Sequence, residues 1–244
     1  MRKDNLFIGL LVFLSISCEK DEIAIEPHDS GNSLENQIEM EQDYRNQIFF
    51  DLETNTVISS NLKSEWDLGF ESSAEGFHIT LNTAKGMAVH HSTEQFANLS
   101  SSTDLEWTWD AHSGTLDSTA IGDWTAENQL YLIDRGYDHL GTHQGYSKLQ
   151  VISVSSSSYL IEYVELSETE PTSFTVQKKA NHSLTYFSFE NGVVDIAPPK
   201  DQWDLVFTQY THLFTDPLSA YVVTGVLLNR HETFAGIINE ISYE

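Results

Sequence analysis

Phe50-Asp51-Leu52-Glu53, with Val57 and then Trp66-Asp67-Leu68-Gly69-Phe70, stands against Phe187-Ser188-Phe189-Glu190, with Val194 and then Trp203-Asp204-Leu205-Val206-Phe207. Every pair lies 137 positions apart, without a gap. An offset held through two separate blocks marks an internal duplication. In each copy a strand runs through a polar turn into a second strand in which Trp, Leu and Phe alternate. That pattern predicts a β-hairpin with one buried face. It also predicts that Trp66 and Trp203 are both buried, with the pairs Leu68/Leu205 and Phe70/Phe207 on equivalent core faces.

Outward from this pair, period-two segments recur from residue 45 onward, as in Ile48 to Leu52, Lys148 to Ile152, Tyr159 to Val164 and Tyr221 to Leu227. Clusters of Gly, Asn, Asp and Ser separate them, and no window sustains a helical period with caps. The fold expected is therefore all-β and mostly antiparallel, with at most one or two short helices. Roughly 200 residues are available to fold, enough for one large β domain.

Asp and Glu number 37 against 12 Lys and Arg, for a net charge of −25. Such a surface repels phosphate backbones and anionic headgroups, which excludes nucleic acid as a partner. Before the folded part, Arg2 and Lys3 precede an apolar run from Leu6 to Leu14, too short to span a bilayer as a stable helix. The run ends at Leu14-Ser15-Ile16-Ser17, followed by Cys18, the only cysteine. Residues 1–17 therefore read as a lipoprotein signal peptide and Cys18 as the lipidated first residue of the mature chain, with acyl chains making the membrane contact. Residues 18–43 are acidic with few large apolar groups and read as a solvated tether. Residues 44–244 read as the β domain.

Tyr186 to Val194 followed by Trp203-Asp204-Leu205-Val206-Phe207-Thr208-Gln209-Tyr210 resembles the HmuY-like haem-binding lipoproteins of Bacteroidetes. The earlier copy, Trp66 to Phe70 with Leu81-Asn82 and Gly86-Met87-Ala88-Val89, is similar to the same unit. The acidic stretch behind Cys18 resembles the export signal of surface lipoproteins in such bacteria. The resemblance implies an outer-membrane lipoprotein, exposed on the cell surface, that captures haem or a related porphyrin for iron acquisition and passes it to a TonB-dependent receptor.

Haem capture needs an apolar, aromatic slot and axial ligands, commonly His or Met. The resemblance places such ligands between the first W-D-L-x-F strand and the middle strands, where this chain has His90, His91 and His112, with Met87 nearby. Trp107 and Trp109 share a strand face, with two residues between Trp109 and His112, and are the aromatic pocket candidates. His139 and His143, in a glycine-flanked loop, are the alternative metal pair. His212 and His231 fall at strand ends near the second repeat, and His28 lies in the tether. No nucleophile elbow, H-E-x-x-H motif, phosphate loop or free thiol occurs, so no enzyme is expected. Two other readings stay open at this point. One is a glycan-binding lipoprotein with Trp107, Trp109 and Trp124 as the sugar platform. The other is an adaptor without a small ligand, since no histidine aligns residue by residue with the family's ligand positions.

Overall fold

The computed structural model describes residues 35–125 and 129–236. The leader, Cys18 and the tether up to residue 34 lie outside the described residues. Thirteen strands follow in chain order: β1 Asn46–Asp51, β2 Thr56–Leu62, β3 Leu68–Glu71, β4 Ile79–Leu81, β5 Ala88–Ser92, β6 Leu130–Asp134 and β7 Tyr146–Val154; then β8 Ser158–Glu165, β9 Thr172–Gln177, β10 Leu184–Ser188, β11 Gly192–Val194, β12 Leu205–Thr215 and β13 Leu218–Leu228. The helical elements among the described residues are three single 3-10 turns, at Gln42–Tyr44, Thr83–Lys85 and Leu116–Ser118. The protein is all-β, and its strand pairs are antiparallel.

The strands form a first sheet in the order β13-β12-β1-β2, a second in the order β11-β10-β3-β4, and a third in the order β5-β6-β7-β8-β9. The duplication explains the first two. Hairpin β1-β2 of one repeat corresponds to β10-β11 of the other, and β3-β4 to β12-β13. Contrary to the simple hairpin expected from sequence, the W-D-L-x-F strand does not pair with the aromatic strand that precedes it in its own copy, but with that of the other copy. Phe50, Phe49 and Ile48 pair with Leu205, Val206 and Phe207. Phe187, Tyr186 and Thr185 pair with Leu68, Gly69 and Phe70. Each four-stranded sheet is therefore half one repeat and half the other.

The correspondence extends to side chains. Phe49 meets Trp203 edge to face at 4.9 Å, and Trp66 meets Tyr186 at 4.8 Å. Phe50 meets Phe207 at 6.1 Å, and Phe70 meets Phe187 at 6.1 Å. Such T-shaped pairs add about 0.5–1.5 kcal/mol each beyond the area they bury. The motif aspartates act alike, since Asp67 accepts the Phe189 N–H at 2.9 Å and Asp204 accepts the Leu52 N–H at 2.8 Å. Asn82 donates its side-chain amide to the Lys63 and Trp66 carbonyls, and Asn229 donates to those of Lys200 and Trp203.

The halves differ in what covers them. Leu68, Phe70, Ile79, Leu81 and Phe187 pack against Leu149, Tyr159, Ile161 and Val176 of the third sheet in the main core. The third sheet, inserted between the two copies, covers only the second sheet in this way. Consequently Ile79 and Leu81 are 0% and 2% exposed, while their counterparts Val226 and Leu228 stand at 47% and 40%. Leu205 and Phe207 are only half-buried, as is Trp203, whereas Trp66 is buried. The equal burial expected of the two copies fails because a single insertion cannot cover both.

Candidate functional site

A cavity of about 450 Å³ opens between the two four-stranded sheets. Phe49, Trp203 and Leu227 wall it from one side and Trp66, Leu184 and Tyr186 from the other. The sequence reading took Trp66 and Trp203 as plain core. The two T-shaped pairs that join the repeats are thus also the chamber's aromatic wall, a position set by strand exchange and not by local pattern.

Polar groups in the wall follow the duplication until it breaks. Gln47 accepts the Trp66 indole N–H at 2.8 Å and donates to Thr208 Oγ1 at 2.9 Å. The residue at the equivalent place in the second copy is Leu184, which offers no acceptor. The buried Trp203 indole N–H has no hydrogen-bond partner among the described residues. Burial pushes the Tyr186 hydroxyl up to about 12, against the opposing pull of the Arg230 charge, so it stays protonated.

The loop from Asp110 to Thr115 forms one rim. Asp110 ties it down by accepting the Leu81 N–H and the Ala120 N–H, both at 2.8 Å. Burial raises its carboxyl to about 6, although both amide bonds and the Arg230 charge favour the anion. A carboxyl whose folded value lies above its unfolded value makes the fold most stable while protonated. That contribution is full below about pH 4 and is lost as pH rises through 6. Asp110→Asn does not titrate, so its stability relative to the parent should improve by roughly 2 kcal/mol between pH 4 and pH 7. Urea denaturation of both proteins across that range tests this, and a constant difference would rule it out.

The candidate histidines go to separate places. His90 Nδ1–H donates to the Glu106 carbonyl at 2.9 Å, with its ring 6.3 Å from Trp107. His91 Nε2–H donates to the Ala120 carbonyl at 2.7 Å, and its edge meets Tyr131. His112 sits on the cavity rim with its ring 4.4 Å from that of His212, which in turn meets Phe214 at 4.8 Å. No ring nitrogen of His112 or His212 is hydrogen-bonded among the described residues. His139 Nδ1 pairs with Ser64 Oγ at 3.1 Å, and His143 Nε2 with Asp134 at 2.8 Å, so the two do not converge. Among the described residues no three His, Cys, Asp or Glu side chains are grouped to hold a metal.

Trp107 stacks on Tyr146 at 5.9 Å over Leu99, Leu130 and Leu132, and Trp109 is half-buried. Trp124 is buried in the main core and donates its indole N–H to the Phe77 carbonyl at 2.8 Å. A sugar platform of these three is therefore incomplete, because Trp124 presents no face to solvent.

Fold and cavity together define an all-β protein whose two intertwined repeats enclose an aromatic chamber with His112 at its rim. The chain belongs to the HmuY protein family, whose sequence model matches residues 43–184. That family is known for haem binding. No curated protein and no solved structure matches the chain.

Proposed function

We propose that the protein is a surface lipoprotein that binds haem, or a related porphyrin, at the rim of the chamber, with His112 and His212 as the axial-ligand pair. The observation that carries this reading is their apposition. Two imidazoles one hundred residues apart in sequence lie in ring contact with their nitrogens uncommitted, a pair that would have to part to take an iron between them, while His90, His91, His139 and His143 each have a partner. The exposed rings of Phe214 and of Tyr221, which pairs with His212 across β12 and β13, offer apolar surface for a porphyrin face. The lone Cys18 behind its leader supports anchoring in the outer membrane, and family membership supports haem acquisition with transfer to a TonB-dependent receptor, without an enzymatic step.

Haemin titrated into purified protein from residue 19 onward should give a shifted Soret band. His112→Ala and His212→Ala should each change the band position and weaken binding by about tenfold or more, as expected for loss of an axial ligand. His90→Ala should bind as the parent does. A parent without a Soret shift, or two rim variants that bind like it, would overturn the assignment.

A further inference from the structure

We propose that the chamber itself is a second site, for a small apolar molecule carrying a carboxylate, which accepts the Trp203 indole N–H and lies within the field of Arg230. The groups proposed to hold the carboxylate, Trp203 and Arg230, are not the histidines assigned to haem.

The broken duplication is the starting point. Two tryptophans occupy equivalent positions, and one indole N–H is satisfied by Gln47, whereas the other has no acceptor among the described residues and the residue at the place of Gln47 in its copy is Leu184. A buried donor left unpaired is unfavourable, so an acceptor supplied from outside is favoured there. Leu184 and Trp203 both line the chamber. The missing acceptor is therefore missing at its wall.

The remaining polar groups give the sign of the ligand. Arg230 lines the chamber, and its Nε–H donates to the Gly114 carbonyl at 3.1 Å. Its guanidinium forms no ion pair among the described residues, in a chain where acidic side chains outnumber basic ones about threefold. Tyr186 adds a neutral hydroxyl. Asp110 is the acidic group of the lining, and its two oxygens are turned onto the Leu81 and Ala120 amides. Indole N–H, phenol O–H and guanidinium together favour an anionic acceptor, and a carboxylate matches a guanidinium in shape. The aromatic walls take the apolar body, and a volume of about 450 Å³ limits it to a compact molecule.

Naphthalene-2-carboxylate is a suitable probe, with naphthalene-2-carboxamide as its uncharged analogue, each titrated calorimetrically into the protein from residue 19 onward. The acid should bind and the amide should bind at least about tenfold more weakly, as a charged hydrogen bond is lost. Trp203→Phe keeps the ring, removes the N–H and should weaken the acid by about tenfold. Leu184→Gln should restore the internal acceptor that Gln47 provides in the other half. It should raise the melting temperature and weaken the acid, an outcome that a merely structural role for residue 184 would not give. His212→Ala, outside the chamber lining, should leave binding of the acid unchanged while altering the Soret titration, which separates this site from the haem reading. Failure of the parent to bind the acid would mean a water-filled void and overturn the proposal, as would Trp203→Phe and Leu184→Gln variants that bind like the parent.

Discussion

A chain ended after Gln177 is expected to show no cooperative unfolding and no near-ultraviolet circular dichroism, although it keeps the first repeat and all five strands of the third sheet. Repeats folded side by side would survive this cut. Here it removes β10 from β3 and β12 from β1, so that both four-stranded sheets lose half their strands. Trp66 loses Tyr186, Phe49 loses Trp203, Phe70 loses Phe187 and Phe50 loses Phe207. Truncating one buried aromatic side chain costs about 3–5 kcal/mol, and a whole domain is stable by only about 5–15 kcal/mol. Losing four such contacts together leaves nothing in reserve. A cooperative thermal transition in the shortened chain would show that the exchanged pairing is not what holds the first repeat.

The duplication and the all-β class were legible in sequence because both rest on local pattern. A constant offset and a period of two survive without knowledge of the fold. Strand exchange was not legible, since an offset of 137 positions is the same whether Leu68 pairs with Phe50 or with Phe187. The burial of the second copy was overestimated for a related reason. Alternating apolar residues say that a face exists, and only the inserted third sheet decides that Ile79 is covered and Val226 is not.

The site divides in the same way. His112 stood out beside Trp107 and Trp109, but its ring partner is His212, which arrives from β12 across the repeat junction. Trp66 and Trp203 carried the signal of core residues, which they partly are. What separates them is the residue opposite each indole N–H, and the contrast of Gln47 with Leu184 at the duplication offset was the one clue in the sequence that pointed to it. A comparison of the two copies position by position, extended beyond the matching residues to the mismatched ones, would have found it.

The motif aspartates show how far the copies have diverged in energy. Asp67→Ala should cost about 3–5 kcal/mol, because it leaves a buried cation without its partner. Asp67 receives the Lys85 ammonium at 2.5 Å, Arg135 at 3.3 Å and the Phe189 N–H at 2.9 Å, and both Asp67 and Lys85 side chains are 1% exposed. Asp204 receives the Leu52 N–H and the Thr233 hydroxyl, with no cation beside it among the described residues, and is half-buried, so Asp204→Ala should cost about 1 kcal/mol. Burial holds the Lys85 ammonium below the ordinary lysine value even with Asp67 in place. Without Asp67 it should release its proton more easily still. The unfolded chain then binds more protons than the folded one, so the stability of Asp67→Ala should rise with pH toward the ordinary lysine value. Urea midpoints at pH 7 and pH 9.5 should therefore show the gap between variant and parent narrowing. Adding Lys85→Met removes the stranded charge and should recover part of the loss, since an apolar replacement of a buried pair is often close to neutral. If Asp67→Ala costs no more than Asp204→Ala, or if Lys85→Met adds its full cost on top, the buried ion pair is not what fixes the first W-D-L-x-F strand in place.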